Sequence, residues 1–389
     1  MMSSEDELCL LLARAELSPE ARTHALSLLA GSVDWPEIFE RAKTYQIFPL
    51  VYAGLRTLDF PGVPEPVRSE WAKIFCFNAI RHELLATELA AILRLLGDAG
   101  IPAIPLKGIA LAESLYGDLA LRVCSDLDVL VPPRHAIDAF HIIVAAGYKP
   151  EFTQPRLLDL EVRYGRDCSL SRQAGASTFA IDLHWGLAWG GPFERGLLEQ
   201  LWAEASPATF RGVPAFALSA EWDFLYLALH AARHGWLTLK WYADLDRLCR
   251  RGMVDWKKAN ETAKSLGWAP AVRASLEACS SVFETPLAPV FGLAPPSPRA
   301  YIRLPSELQA TSDNLLLFRL LNTPARKLRY LAIRLFIPTR MDCEFLHLPP
   351  SLFSLYYALR PLRVTGKNAW WLVQAGWIGV RRALGLKQE

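Results

Sequence analysis

Apolar side chains recur three and four positions apart over most of this chain, the signature of amphipathic helices, and two apart in one short section. Ser4-x-x-Glu7 ahead of an apolar run has the form of a capping box, so a helix is predicted there. Asp34-Trp35-Pro36 opens another, with proline in the first turn, where its missing N–H costs nothing. Its apolar positions, Ile38, Phe39, Ala42, Tyr45, Leu50, Ala53 and Leu55, carry the helical pattern to about residue 57. After the break at Pro61-Gly62 and Pro64, a long amphipathic helix is predicted from Pro66 to Asp98, ended by Gly100-Ile101-Pro102.

The period changes at Ile101. Ala103–Leu106 and Ser125–Val131 read as strands around a helix over 108–116, and Pro132-Pro133 ends the second strand. A helix over 135–146 follows, closed by Gly147, and strands are predicted at 148–152, 167–171 and 178–184. The last strand alternates Phe179, Ile181 and Leu183 on one side with Asp182 and His184 on the other. Past Trp185 helical patterns return over 221–248, interrupted at Gly235, then over 256–284, 311–336 and 350–359, with a proline-rich loop from Pro286 to Pro305. The fold class expected is therefore α+β, a small mixed sheet flanked by helices. Its expected organisation is an N-terminal helical lobe (1–100), a core with the sheet (101–190) and a C-terminal helical region (191–389).

Composition narrows the class without naming a function. Over 389 residues, hydrophobic residues make up 52% and charged residues 21%, which excludes a disordered chain. A net charge of +2 does not select nucleic acid as a partner. The basic, aromatic-rich C-terminal region is a weak pointer to an anionic partner, and such regions are more often solvated surface. The seven cysteines show no CxxC pair and no regular spacing, as in a protein whose thiols stay reduced. The acidic N-terminus has no basic n-region, and the apolar stretch from Ala369 to Val380 is shorter than the ~20 residues of a membrane span. A soluble, cytoplasmic protein with no membrane span is expected.

The candidate chemistry lies between Ile104 and Val131. Asp126 and Asp128, one residue apart in an extended segment, point to one side, and two adjacent carboxylates are costly unless a cation lies between them. Asp182, on the polar side of a later strand, supplies a third carboxylate if the two strands are neighbours. Lys107-Gly108 lies at a strand-to-helix turn, where backbone N–H groups suit a phosphate. Three carboxylates around a magnesium ion beside a phosphate cradle make the apparatus of an in-line phosphoryl or nucleotidyl displacement. Lys107 either meets a triphosphate or pairs with a carboxylate, and Arg122 either contacts phosphate or is a buried clamp on the two aspartates. His230 and His234 are one helical turn apart but lack the glutamate of HExxH, so buried hydrogen-bonding histidines are expected there, and His184 is read as structural.

Gly108 at a helix start, Arg122-x-x-Ser125-Asp126-x-Asp128 and a third aspartate on a following strand resemble the DNA polymerase beta type nucleotidyltransferase superfamily. More narrowly, LKGIAL, LYGDLALRVCSDLDVLV, IDLHW and HAARHGWLTLKWYADLDRL resemble the uncharacterised nucleotidyltransferase family of bacterial proteins. The likeness runs from about residue 35 to about 365 and is most specific over 104–185. It implies an enzyme that moves a nucleoside monophosphate from an NTP to an acceptor hydroxyl on a small molecule, a protein or an RNA, with Mg²⁺ or Mn²⁺. Asp126, Asp128 and Asp182 would then be the catalytic metal ligands. Lys107, Gly108, Arg122 and Ser125 would hold the phosphates, joined by Lys240 from the helical region. The chain departs from the superfamily in having Gly108-Ile109 where a Gly or Ser usually follows the glycine, and in a longer gap to Asp126. The alternative reading is a weakly active or inactive nucleotide-binding regulator of the same fold. The missing serine favours it, and the three clustered carboxylates argue against it.

Overall fold

Ser3, Ser18 and Asp34 each accept a hydrogen bond from a backbone N–H three residues on, and so start the first three helices. These are α1 (Ser4–Leu12), α2 (Pro19–Leu29) and α3 (Trp35–Thr44). The computed structural model describes residues 3–152, 154–175, 177–188, 194–286, 318–321 and 323–366. The single helix predicted from Trp35 to residue 57 is two, because Gln46 takes a left-handed φ of 58° and Pro49 opens α4 (Phe48–Thr57). The long helix α5 runs from Glu65 to Asp98, as its periodicity predicts.

The middle of the chain forms a mixed sheet, and the fold is α+β. Its strands are β1 (Ile104–Pro105), β2 (Leu127–Leu130), β3 (Lys149–Pro150), β4 (Asp167–Ala174) and β5 (Ser177–His184), in spatial order β1-β2-β5-β4-β3. Only β2 and β5 run parallel. Between β1 and β2 lie α6 (Lys107–Leu111) and a wider π-helical turn over Ala112–Tyr116, and α7 (Ala136–Ala145) and α8 (Pro155–Tyr164) follow. One face of the sheet, through Leu127, Val129, Ile181 and Leu183, packs on Leu85, Leu89, Ile92 and Leu96 of α5 and on Phe140 and Ile143 of α7.

Beyond the sheet come α9 (Arg195–Glu204), the hairpin β6 (Ser206–Phe210) and β7 (Val213–Ala217), and α10 (Ala220–Arg233). Then follow α11 (Leu239–Arg250), α12 (Trp256–Leu266) and α13 (Ala269–Phe283). The sequence pattern did not reveal α8, α9 or the hairpin. The hairpin turns on Arg211-Gly212, both at positive φ, and Arg211 is not one of the residues that announce such a turn. Helices α10–α13 share one apolar core with α1–α4 and the start of α5, so both ends of the described chain pack together beside the sheet. Helices α14 (Pro324–Phe336) and α15 (Arg340–Phe345) and a helical stretch over 355–366 complete the described residues. The loop predicted from Pro286 to Pro305 and the helix start at 311 lie outside them, apart from Pro286 itself. No described helix is long and apolar enough to cross a membrane.

Candidate functional site

Register decides which carboxylates meet. In the parallel pair β2–β5, Asp128 lies directly beside Asp182, and Leu130 beside His184. In the antiparallel pair β4–β5, Ser169 is opposite Asp182 and Asp167 opposite His184. The face away from α5 thus carries Asp128, Asp182, His184, Ser169 and Asp167 together. Ser169 donates to Asp182 Oδ1 at 2.6 Å. His184 Nε2 is 2.9 Å from Asp128 Oδ1, and its Nδ1 is 3.6 Å from Asp167 Oδ2.

The turn after β1 closes one side. Lys107 Nζ lies 2.6 Å from Asp128 Oδ2 and 4.0 Å from Asp126 Oδ2, so of its two predicted roles it pairs with carboxylate here. Gly108 has φ 56° and ψ −130°. Ile109 is 1% exposed and belongs to the core around α5. The side chain after Gly108 therefore points away from the cavity, which accounts physically for an apolar residue at the position where the superfamily has a small one. Ser125 Oγ donates to Asp126 Oδ1 at 3.1 Å and has no other described partner in the site.

Arg122 acts as a clamp, but its partner is not either of the two site aspartates. It is buried and forms a two-pronged pair with Asp244 of α11, both bonds 2.9 Å, while Tyr116 donates to the same carboxylate at 2.7 Å. Its remaining nitrogen reaches the Gly108 carbonyl at 3.4 Å. Asp244 therefore does not pair with Lys240 one turn away. Lys240 Nζ instead donates to the Val123 carbonyl at 3.4 Å. His230, His234 and Trp241 form a ring cluster on the helical side, with His234 stacked on Trp241 at 5.1 Å.

These side chains line one cavity of about 320 Å³ between the sheet face and helices α10 and α11, with Lys107, Gly108, Asp126, Asp128, Asp182 and Lys240 on its walls. Its electrostatics are uneven. Burial opposes charge on Asp128, but Lys107 and His184 outweigh it and hold the carboxyl well below its ordinary range. Burial likewise opposes the Lys107 ammonium, and Asp128 more than restores it. Asp182 goes the other way: burial, and the neighbouring Asp128 and Asp126, raise it despite the Ser169 hydroxyl. Burial and Arg122 lower Lys240, and burial and Lys107 push His230 far down, so that imidazole is neutral at pH 7.

The donor set fits a cation. Asp128, Asp182 and His184 offer ligand atoms that lie within 4.8 Å of one another. Asp182, raised by burial and then by its carboxylate neighbours, forms no ion pair among the described residues, and a cation beside it would oppose that shift. Asp126 lines the same cavity, more exposed, and stands outside that trio. Sequence reasoning did not single out Asp167, Tyr116 or the Arg122–Asp244 pairing. The alternation of β4 could have flagged Asp167, but the pairing joins residues far apart in the chain and leaves no local signal.

A comparison with curated proteins finds no match. A crystal structure of an antigenic nucleotidyltransferase-like protein from Paracoccidioides brasiliensis aligns with 51% of this chain and 96% of its own, at 14% identity and a TM-score of 0.32, too remote to argue from. The model of the family described as "Uncharacterised nucleotidyltransferase" matches residues 31–284, which contain the sheet, the three aspartates, the Lys107-Gly108 turn and helices α10 and α11. On that match over more than half of its length, the chain belongs to the uncharacterised nucleotidyltransferase family.

Proposed function

We propose that this protein transfers a nucleoside monophosphate from an NTP to an acceptor hydroxyl, using a divalent cation, Mg²⁺ or Mn²⁺, held by Asp128 and Asp182 with Asp126 at the cavity mouth. The observation that carries this reading is the in-register pairing of Asp128 with Asp182 beside the left-handed turn at Gly108. A bound cation would neutralise charge on the triphosphate and favour ionisation of the acceptor hydroxyl.

The remaining work falls to the chain's own groups. Gly108, with no side chain, lets a phosphate approach the backbone of the turn. Lys107 neutralises Asp128 in the resting site, and once that carboxylate is ligated its ammonium is free to turn to the phosphates. Lys240, on the opposite wall, adds a second cationic contact. The acceptor oxygen attacks the α-phosphorus, a new O–P bond forms, the bond from that phosphorus to the bridging oxygen breaks, and pyrophosphate leaves. Asp182, at the same place in the site, takes the acceptor proton.

The test is incubation of purified protein with NTPs labelled at the α-phosphate, Mg²⁺ or Mn²⁺, and cell extract. Pyrophosphate release and a labelled acceptor are expected. Asp128→Asn, which keeps the side-chain shape, should lower labelling by on the order of 10²–10³-fold, with far-UV circular dichroism unchanged. Wild-type protein that binds NTP but releases no pyrophosphate with any extract would replace this reading by that of a nucleotide-binding regulator.

A further inference from the structure

We propose that His184 is itself a ligand of the divalent cation, through Nε2, and that Asp167 is the positioning residue that orients it. This rests on the functional reading above and changes the chemistry of its metal site from carboxylates alone to two carboxylates and an imidazole.

Distances carry the first part of the argument. A six-coordinate ion with bonds of ~2.1 Å spaces adjacent donors ~3.0 Å apart and opposite donors ~4.2 Å apart. His184 Nε2 and Asp128 Oδ1 are 2.9 Å apart, the spacing of adjacent donors. Ligand atoms of Asp128, Asp182 and His184 all lie within 4.8 Å of one another, a limit close to the spacing of opposite donors. Asp126 does not join them. Its side chain is 35% exposed, and its carboxylate faces Lys107 at 4.0 Å.

The second part comes from the other ring nitrogen. A histidine that binds a metal almost always gives its second N–H to a carboxylate, carbonyl or water, which fixes tautomer and ring orientation. Here strand register puts Asp167 opposite His184, and Asp167 Oδ2 lies 3.6 Å from Nδ1. Arg166 Nε forms an ion pair with that carboxylate at 3.0 Å, without hydrogen-bond geometry. The protons balance: with Nε2 bound to the ion, the single proton of the neutral ring sits on Nδ1 and faces Asp167 Oδ2, which accepts it once the 3.6 Å separation closes to hydrogen-bond distance. In the cation-free site the proton on Nε2 is donated to Asp128.

A nitrogen donor has a consequence for metal choice. Mg²⁺ prefers oxygen ligands, whereas imidazole suits the first-row transition ions. The site should therefore bind Mn²⁺ more tightly than Mg²⁺, by a margin that His184 supplies.

Pulsed electron paramagnetic resonance of Mn²⁺ bound to the full chain with a non-hydrolysable NTP tests this directly. Nitrogen coupling to the ion is expected, changing to that of ¹⁵N when the protein is labelled with ¹⁵N-histidine, a readout that does not depend on any variant folding. His184→Gln should lose the coupling and narrow the Mn²⁺-over-Mg²⁺ preference. Asp167→Asn should keep the coupling but weaken Mn²⁺ binding about 10- to 100-fold. Mn²⁺ bound with no nitrogen coupling, or with coupling that survives in His184→Gln, overturns this inference and leaves the nucleotidyltransferase reading standing. Failure of the protein to bind Mn²⁺ at all, with NTP present, overturns both.

Discussion

Gly108 shows how one residue sets the shape of the site. Its φ of 56° and ψ of −130° lie in a region that residues with a Cβ rarely adopt. A Cβ there would also come 3.4 Å from the Asp126 carbonyl and 3.8 Å from Asp128 Oδ2, on the side where a phosphate has to approach. Gly108→Ala should therefore cost ~1–3 kcal/mol in urea unfolding from backbone strain. It should weaken NTP binding as well, measured by titration calorimetry on the folded variant. Gly97, which lies in α5 with open space around its Cβ position, is the control, and Gly97→Ala should not destabilise the protein. Gly108, Asp128 and Asp182 were legible in the sequence because a glycine at a strand-to-helix turn and acids on a strand's polar side are local patterns. His184 was legible as a side chain on the polar side, but its contacts were not, since both come from neighbouring strands.

At the scale of elements, the Arg122–Asp244 pair ties α11 to the segment that leads into β2. Both side chains are buried, the aspartate fully, and Arg122 also reaches the Gly108 carbonyl, so the helical region braces the turn at Gly108. Burial opposes the guanidinium charge, and Asp244 overcomes that and keeps it protonated. Asp244→Ala leaves a buried charge without its partner and should cost ~3–5 kcal/mol. The double variant Arg122→Met with Asp244→Leu removes both charges and should recover most of that loss in the same urea titration. If the double variant is stable but binds NTP less tightly than wild type, the clamp positions the turn as well as stabilising the fold. The i,i+4 spacing along α11 offers Asp244 to Lys240 as a helix-surface pair. Tertiary burial gave it instead to Arg122 and Tyr116, because a desolvated guanidinium needs a carboxylate more than an ammonium with access to the cavity does.

For the whole molecule, the cluster of acids trades stability for function, and pH exposes the trade. Burial and its carboxylate neighbours raise the Asp182 pKa on folding. The stability Asp182 contributes is thus fully present below the unfolded pKa of ~3.9 and lost as pH rises through the higher folded value. Cation-free wild-type protein should therefore lose more stability on going from acid to neutral pH than Asp182→Asn does, with the difference read from thermal unfolding across that range. Adding Mn²⁺ should restore wild type at neutral pH by binding the native state alone, and should do less for the variant.

The sequence by itself determined the helical periodicity, the α+β class and the short list of acids and glycine from which a site could be built, because each depends on neighbours within a turn or a strand. It also carried the family resemblance that the family match bears out. Only the tertiary structure decided that Asp128 stands beside Asp182, that His184 lies between Asp128 and Asp167, and that Arg122 belongs to Asp244. Those contacts are set by strand register and by the packing of α11 on the sheet's flank. A one-residue slip of β5 would turn Asp182 and His184 to the opposite face without changing a letter of the sequence. The burial of Ile181 and Leu183 against α5 prevents that slip, so the hydrophobic core on one face of the sheet holds the charged groups in place on the other.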